Sequence, residues 1–434
     1  MFAKSVPTKP VALVILSFLL SISIFAQNNE SELYKWLKSK PELEVKQIKS
    51  DTSFTEAYEI MITQPIDHNN PDGPKFKEQF FLNHKDKNKP VVIELDGYAV
   101  NNRSSELARI LHCNQVMVEH RYFGESVPEP FDWKYLDFRQ AAADHHKIIQ
   151  LLKEFYTGKW ISTGISKGGS TVIFHRRFYP DDVDVSVPYV GPIIRSPEDQ
   201  RFYEFFKNVS TEENRKKVED FQKLCFQKRD QLYPMFLKNA EDKNLTYNIV
   251  GNEKAYEYSI LEYSFNFWQF GDGDCSKIPD ETSSIKEIWE HLLANGGVTY
   301  FDDASINDSY PFFYQCYTNY GYYAYDITPF KDYVKYADGH TPFFIPPGVN
   351  PVFDPEPMKD ITNWVREEAK NCIFIYGDND PYSAAGVCLD GKTNSIKMIL
   401  PGGSHRTRIR SFSGKDRELI YSKLEEWLGV QIKR

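Results

Sequence analysis

Trp160-Ile161-Ser162-Thr163-Gly164-Ile165-Ser166-Lys167-Gly168-Gly169 is the stretch that decides how this 434-residue chain folds. An apolar run leads into a Gly-x-Ser-x-Gly turn, and the residues beyond it can continue as helix. A serine hydroxyl is a poor nucleophile until a base takes its proton and backbone donors wait for the developing oxyanion. A sharp strand-to-helix turn lifts the hydroxyl out of a sheet, and glycines on either side leave room for that turn. Ser166 is therefore the candidate nucleophile. The pattern is short enough to arise by chance, so its partners must decide.

Two later segments supply partners. Cys372-Ile373-Phe374-Ile375-Tyr376-Gly377-Asp378-Asn379-Asp380-Pro381 is an apolar strand running into a turn. Asp380 is preferred to Asp378 as the acid, because Pro381 ends strand pairing and a carboxylate just before it sits at the loop crest. Asp378 is expected to bond within its own turn. Ser395-Ile396-Lys397-Met398-Ile399-Leu400-Pro401-Gly402-Gly403-Ser404-His405 is a second strand with a glycine turn, and it precedes a helical stretch from Lys415 to Leu428. Of the ten histidines, His405 has the position of a base. The order Ser, Asp, His is that of an α/β-hydrolase.

The remaining pattern fits such a core. Glu56 to Gln64 and Phe76 to Leu82 read as an antiparallel pair across a turn from Pro65 to Gly73. Pro90 to Leu95, Gln115 to Glu119 and Val183 to Val190 read as further strands, with helical spacing over Ser104 to Leu111 and Leu136 to Tyr156. Strand and helix alternate as a mostly parallel sheet requires. From Ser196 to Pro346 the character changes to charged helical stretches, such as Thr211 to Glu241, and aromatic clusters. This reads as an inserted, mainly helical cap (196–346) between two parts of the core (27–195 and 347–434). Its aromatic stripes are more in keeping with core than with ligand-binding surface, since each ring buries a large area.

Residues 1–26 carry Lys4 and Lys9, an apolar run from Val11 to Phe25, and Ala26, the layout of a secretory signal peptide. The apolar run is shorter than the roughly 20 residues of a comfortable span, which disfavours a membrane anchor. The mature protein is expected to be secreted or periplasmic. With 61 acidic against 52 basic residues, the charge balance speaks against nucleic acid as a partner. No later run is apolar for long enough to insert in a membrane. The six cysteines allow disulfides in an exported protein, with Cys372 to Cys388 and Cys275 to Cys316 as candidate pairs. No metal-ligand spacing is present, and no cofactor is expected.

At Glu119-His120-Arg121-Tyr122-Phe123-Gly124-Glu125-Ser126-Val127-Pro128 the chain resembles the secreted bacterial tripeptidyl aminopeptidases of serine peptidase family thirty-seven, also called PS-ten. Lysosomal Pro-X carboxypeptidase and dipeptidyl peptidase II are more distantly similar. The resemblance extends through Gly164 to Gly169, the turn from Tyr376 to Pro381, His405, and Phe313-Tyr314-Gln315-Cys316-Tyr317. It implies a triad of Ser166, Asp380 and His405. It further implies oxyanion donors at the N–H of Lys167 and at one from the Gly97 or Tyr98 region. Peptides, released in short pieces from a free amino terminus and often after proline, are the implied substrates. Such an enzyme needs an apolar slot, for which Trp268, Tyr314 and Gln315 are candidates, and a carboxylate for the terminal ammonium, for which Glu262 is the candidate. Arg121 is assigned to scaffold, paired with a nearby carboxylate. The rivals are an esterase or lipase of the same fold, and a non-catalytic peptide-binding protein.

Overall fold

In a computed structural model of the chain, residues 30–271 and 273–434 are described, and the expected signal segment lies outside them. Nine strands form one sheet: β1 (Leu43–Ile48), β2 (Glu56–Pro65), β3 (Lys75–His84), β4 (Val91–Leu95), β5 (Asn114–Val118), β6 (Trp160–Ile165), β7 (Val185–Tyr189), β8 (Ile373–Gly377) and β9 (Ile396–Leu400). Their spatial order is β1-β2-β3-β5-β4-β6-β7-β8-β9. β1, β2 and β3 pair antiparallel, β3 joins β5 antiparallel, and every pairing from β5 onward is parallel. Strand crossover at β5-β4-β6 and the parallel run after it make this an α/β-hydrolase sheet.

The central strands β4, β5, β7 and β8 are buried at every residue, as short apolar runs covered by helices on both faces must be. The antiparallel pair read from the sequence is β2 with β3, in register from Glu56 opposite His84 to Pro65 opposite Lys75. β1 was not foreseen. It is a half-exposed edge strand that alternates along β2, too short and too polar to stand out. The helix expected over 136–156 is Phe138–Lys153, and it starts where the Asp137 carboxylate accepts from the N–H groups of Arg139 and Gln140.

Among the described residues, no strand lies between β7 and β8. That interval holds the helices Gln200–Asn208, Glu212–Gln227, Arg229–Lys243, Asn252–Leu261, Tyr263–Phe270, Ile285–Asn295 and Asp303–Gln315. The charged stretch over 211–241 is two helices meeting at Lys228. Its charges pair along the surface, Lys216 with Asp220 and Lys223 with Glu219. The rings point inward and form one continuous cluster with the sheet-flanking helices, uniting Phe313, Tyr320 and Phe344 with Phe138, Phe174 and Trp364. Phe313 and Phe344 stack at 3.8 Å. The inserted helices thus share a core with the hydrolase layer.

Neither expected disulfide forms: Cys372 is not joined to Cys388, nor Cys275 to Cys316. Cys372 is buried at the head of β8 while Cys388 is exposed, and Cys275 and Cys316 are separately buried thiols. Burial pushes Cys372 up to about 11 and raises Cys316 well above the ordinary thiol value, so both are held as SH groups. Among the described residues, no helix is long and apolar enough to cross a membrane.

Candidate active site

Ser166 stands between the end of β6 and the helix Lys167–Phe178, with φ 58° and ψ −124°. A positive φ at a residue with a Cβ is strained, and the turn holds it between the close-packed glycines Gly164 and Gly168. A Cβ on Gly164 would lie 2.4 Å from the Gly168 carbonyl oxygen, and one on Gly169 would lie 2.7 Å from that of Tyr189. The Ser166 N–H donates to Tyr189 on the neighbouring β7 at 2.9 Å. One turn on, Ser170 donates to the Pro192 carbonyl at 2.7 Å and lies 2.9 Å from the Tyr320 hydroxyl of the inserted region. The turn is therefore braced from the sheet and from above.

Asp380 and His405 follow β8 and β9, so all three residues sit at the carboxyl end of the parallel strands, where such sheets place their ligands. His405 Nδ1 lies 2.7 Å from Asp380 Oδ2, with both side chains buried. A carboxylate only accepts, so Nδ1 carries the proton and Nε2 is left as the basic lone pair. The other Asp380 oxygen accepts the Tyr382 N–H at 3.1 Å. Asp378 is turned away and accepts the Gly402 N–H, on the turn after β9 rather than its own. Its part is to pin the two loops together. Around His405 the backbone N–H donates to Gln269 at 2.9 Å, and the rings of Tyr382 and Phe270 stand 5.5 and 5.7 Å away.

The loop after β4 packs directly on the serine turn, since a Cβ on Gly97 would meet Gly168 N and Lys167 Cβ at 2.7 Å. The Gly97 N–H is committed to Asp96 Oδ1 at 2.9 Å. Burial raises the Asp96 carboxyl, against which Arg103 and, more weakly, the N–H groups of Gly97 and Tyr98 draw it down. The Lys167 N–H is the first of its helix and has no intrahelical acceptor. The Lys167 side chain doubles back and donates to the Gly97 carbonyl at 2.5 Å.

Glu119 explains the motif that follows β5. Its carboxylate accepts from the N–H groups of Val100 and Glu125 and from the Ser126 hydroxyl, at 3.1, 2.8 and 2.7 Å. Gly124 is obligatory beside it, with φ 52° and no space for a Cβ. Arg121 is fully buried and bidentate to Asp144 at 2.6 and 2.8 Å, with further bonds to the carbonyls of Ile66 and Tyr135. It is scaffold, as expected, although its carboxylate comes from the helix Phe138–Lys153 rather than from the same loop.

Glu262 lies in the inserted helices and is 3% exposed. It accepts from the Tyr323 hydroxyl at 3.2 and 3.0 Å and from the Tyr325 hydroxyl at 2.5 Å. Burial raises its carboxyl to about 7, opposed by those two hydroxyls. Tyr323 stands 6.4 Å from the ring of Tyr382, which connects Glu262 to His405 through two rings.

The three candidates for the apolar slot lie in different surroundings. Trp268 lines a cavity of about 490 Å³ within the inserted region, together with Phe265, Arg215 and Tyr325. Tyr314 stacks on Trp133 at 5.0 Å, towards the loop after β5. Gln315 is buried with neither amide atom partnered, beside a small void shared with Lys167 and His120. Tyr314 and Gln315 are helix neighbours, so one residue's rotation sends them to different surroundings. The rings that do approach His405, Tyr382 and Phe270, were missed. Tyr382 follows Asp380-Pro381 directly, and that adjacency was the signal available.

The sequence pattern of the PS-10 peptidase S37 family matches residues 28–434. The chain belongs to that family. Membership makes it a hydrolase of the serine-peptidase class and decides against an esterase or a non-catalytic binder. The chain is also 34% identical over 377 residues to the prolyl tri/tetrapeptidyl aminopeptidase of Streptomyces mobaraensis, covering 85% of this chain and 79% of that one. Distant structural likenesses include acetyl xylan esterase 1 from Thermoanaerobacterium, at TM-score 0.36, 12% identity and 90% of each chain. Another is the proline iminopeptidase of Mycobacterium smegmatis, at TM-score 0.37, 10% identity, and 85% and 97% of the two chains.

Proposed function

We propose that the protein is an exported peptidase that removes tripeptides, preferentially ending in proline, from free amino termini through an acyl-enzyme on Ser166. Ser166 Oγ attacks the acyl carbon while His405 Nε2 takes its proton and then passes it to the leaving amine. Asp380 keeps the imidazole in the Nδ1–H tautomer and stabilises its cation. The N–H of Lys167 and one from the Gly97–Tyr98 loop, which packs on the serine turn, receive the oxyanion. Water then attacks the ester, with His405 again as base. Export rests on the signal-like pattern of residues 1–26.

Glu262 carries the reading of an amino-terminal specificity. Among the described residues no cation pairs with this buried carboxylate, which two tyrosine hydroxyls hold, and a substrate ammonium supplies one. Its hydrogen-bond partner Tyr323 stands 6.4 Å from the ring of Tyr382, which in turn flanks His405 at 5.5 Å, so the carboxylate and the imidazole are linked through the same pair of rings. Tyr382 and Phe270, flanking the imidazole, are the surfaces for the prolyl ring.

Mass spectrometry of matched proline-containing peptides with free and acetylated amino termini tests this. Release of a tripeptide from the free form alone is the expected result. Equal cleavage of both forms would remove the aminopeptidase assignment.

A further inference from the structure

The Lys167 side chain has no part in the chemistry above, yet its placement is costly. It is 3% exposed, and among the described residues no carboxylate lies within ion-pair distance of Nζ. Its one hydrogen bond goes to the Gly97 carbonyl at 2.5 Å. The rings of Tyr98 and Phe123 cover it, with centroids 5.3 and 4.9 Å away. A buried ammonium is expensive unless the groups it touches repay it.

Gly97 O and the N–H of Tyr98 belong to one planar trans peptide, so they point in opposite directions. Resting on the acyl-enzyme reading, we propose that the Lys167 ammonium is a positioning residue for the oxyanion hole. It holds the Gly97 carbonyl and thereby fixes the Gly97–Tyr98 amide and polarises its Tyr98 N–H as a donor to the oxyanion formed on the Ser166 adduct. A charge-assisted bond to a carbonyl strengthens the donor at the other end of the same amide. Lys167 then serves the oxyanion twice, directly through its own N–H and indirectly through its side chain.

The titratable groups around Nζ come from several elements. They are Asp96 and Tyr98 after β4, His120 after β5, His145 on Phe138–Lys153, and Cys316 and Tyr320 from the inserted region. Desolvation keeps both histidines neutral, His145 down to about 3, and raises Cys316, Tyr98 and Tyr320 far upward. Burial raises the Asp96 carboxyl, with Arg103 opposing it. Burial lowers Lys167 to about 7. Its ammonium is therefore present below pH 7 and lost as pH rises through it.

The test compares wild type, Lys167→Met, Lys167→Gln and Ser166→Ala on a prolyl tripeptide amide, and measures inhibition by the matching peptide aldehyde, whose adduct carries the oxyanion. Lys167→Met is expected to lower kcat about 10- to 100-fold. KM should stay within about twofold, and aldehyde affinity should fall by the same factor as kcat. Lys167→Gln keeps a donor for Gly97 O and should recover most of the loss. Wild-type kcat should decline above pH 7, and that decline should be absent in Lys167→Met. If Lys167→Met fails to fold, the Gln variant and the wild-type profile carry the test. Wild-type kcat and aldehyde affinity in Lys167→Met, or no alkaline decline in wild type, would overturn the assignment. Activity retained by Ser166→Ala would instead overturn the acyl-enzyme reading itself.

Discussion

A Cβ built on Gly377 would lie 2.3 Å from the Gly403 carbonyl oxygen. The loops after β8 and β9 therefore touch backbone to backbone, and this contact brings Asp380 within 2.7 Å of His405. Gly377→Ala should force the loops apart and lower kcat at least about tenfold, since small misplacements of reacting groups are costly. Circular dichroism and turnover measured together check it: a folded variant with unchanged kcat would show that the contact is incidental.

The two candidate acids have different tasks. Asp380→Asn removes the acceptor that keeps the proton on Nδ1, and a drop in kcat of up to about 10⁴-fold is expected. Asp378→Asn loses only a charge facing the Gly402 N–H and should stay within about tenfold of wild type. Steady-state kinetics on one substrate compares them, and the reverse ranking would exchange their roles.

Glu262 carries a stability cost that bears on its proposed role in binding. Its carboxyl is raised from 4.5 to about 7, so the folded state keeps the proton longer than the unfolded one. The stability associated with it is present below pH 4.5 and lost as pH rises through 7, about 3 kcal/mol in all. Glu262→Gln should therefore be the more stable protein at pH 8, with the gap opening between pH 4.5 and 7 in urea denaturation. In the same variant, KM for free-amine peptides should rise about 30-fold or more, as a substrate cation loses its buried partner. A variant with unchanged KM would return Glu262 to scaffold.

In wild type the pH dependence of KM follows from the same carboxyl. Glu262 ionises as pH rises through about 7, and a peptide amino group loses its charge near 8. KM should be lowest between these values and rise on both sides. A KM that is flat from pH 5.5 to 8 would contradict an ion pair at this position.

Much of this arrangement was legible in the residues themselves. The central strands are apolar runs bounded by turns, and Asp380 was marked by Pro381. The glycines around Ser166 are those that the close contacts of its turn demand. What was not legible depends on contacts distant in sequence. Glu262 meets hydroxyls more than sixty residues away, and nothing local in Tyr323 or Tyr325 announces that. Trp268, Tyr314 and Gln315 were separate candidates for the slot, and helix rotation and packing set them in different surroundings. The cysteine pairs failed for a similar reason: spacing along the chain says little about which thiols the core buries apart.

Arg121 gives a purely structural contrast. Replacing it with Ala would leave Asp144 buried beside Glu78, whose carboxyl desolvation and Asp144 already raise well above the ordinary value. A loss of about 3–5 kcal/mol is expected. Chemical denaturation measures it, and a loss under 1 kcal/mol would show that His68, 2.7 Å from Asp144 Oδ1, suffices as its partner.

The acyl-enzyme on Ser166 is tested most directly by intact-protein mass spectrometry after treatment with a fluorophosphonate, followed by peptide mapping. One adduct per chain, mapped to Ser166, formed in step with loss of peptidase activity and absent in Ser166→Ala, is the predicted result. Full labelling of Ser166 with activity retained, or inactivation by an adduct at another residue, would contradict it.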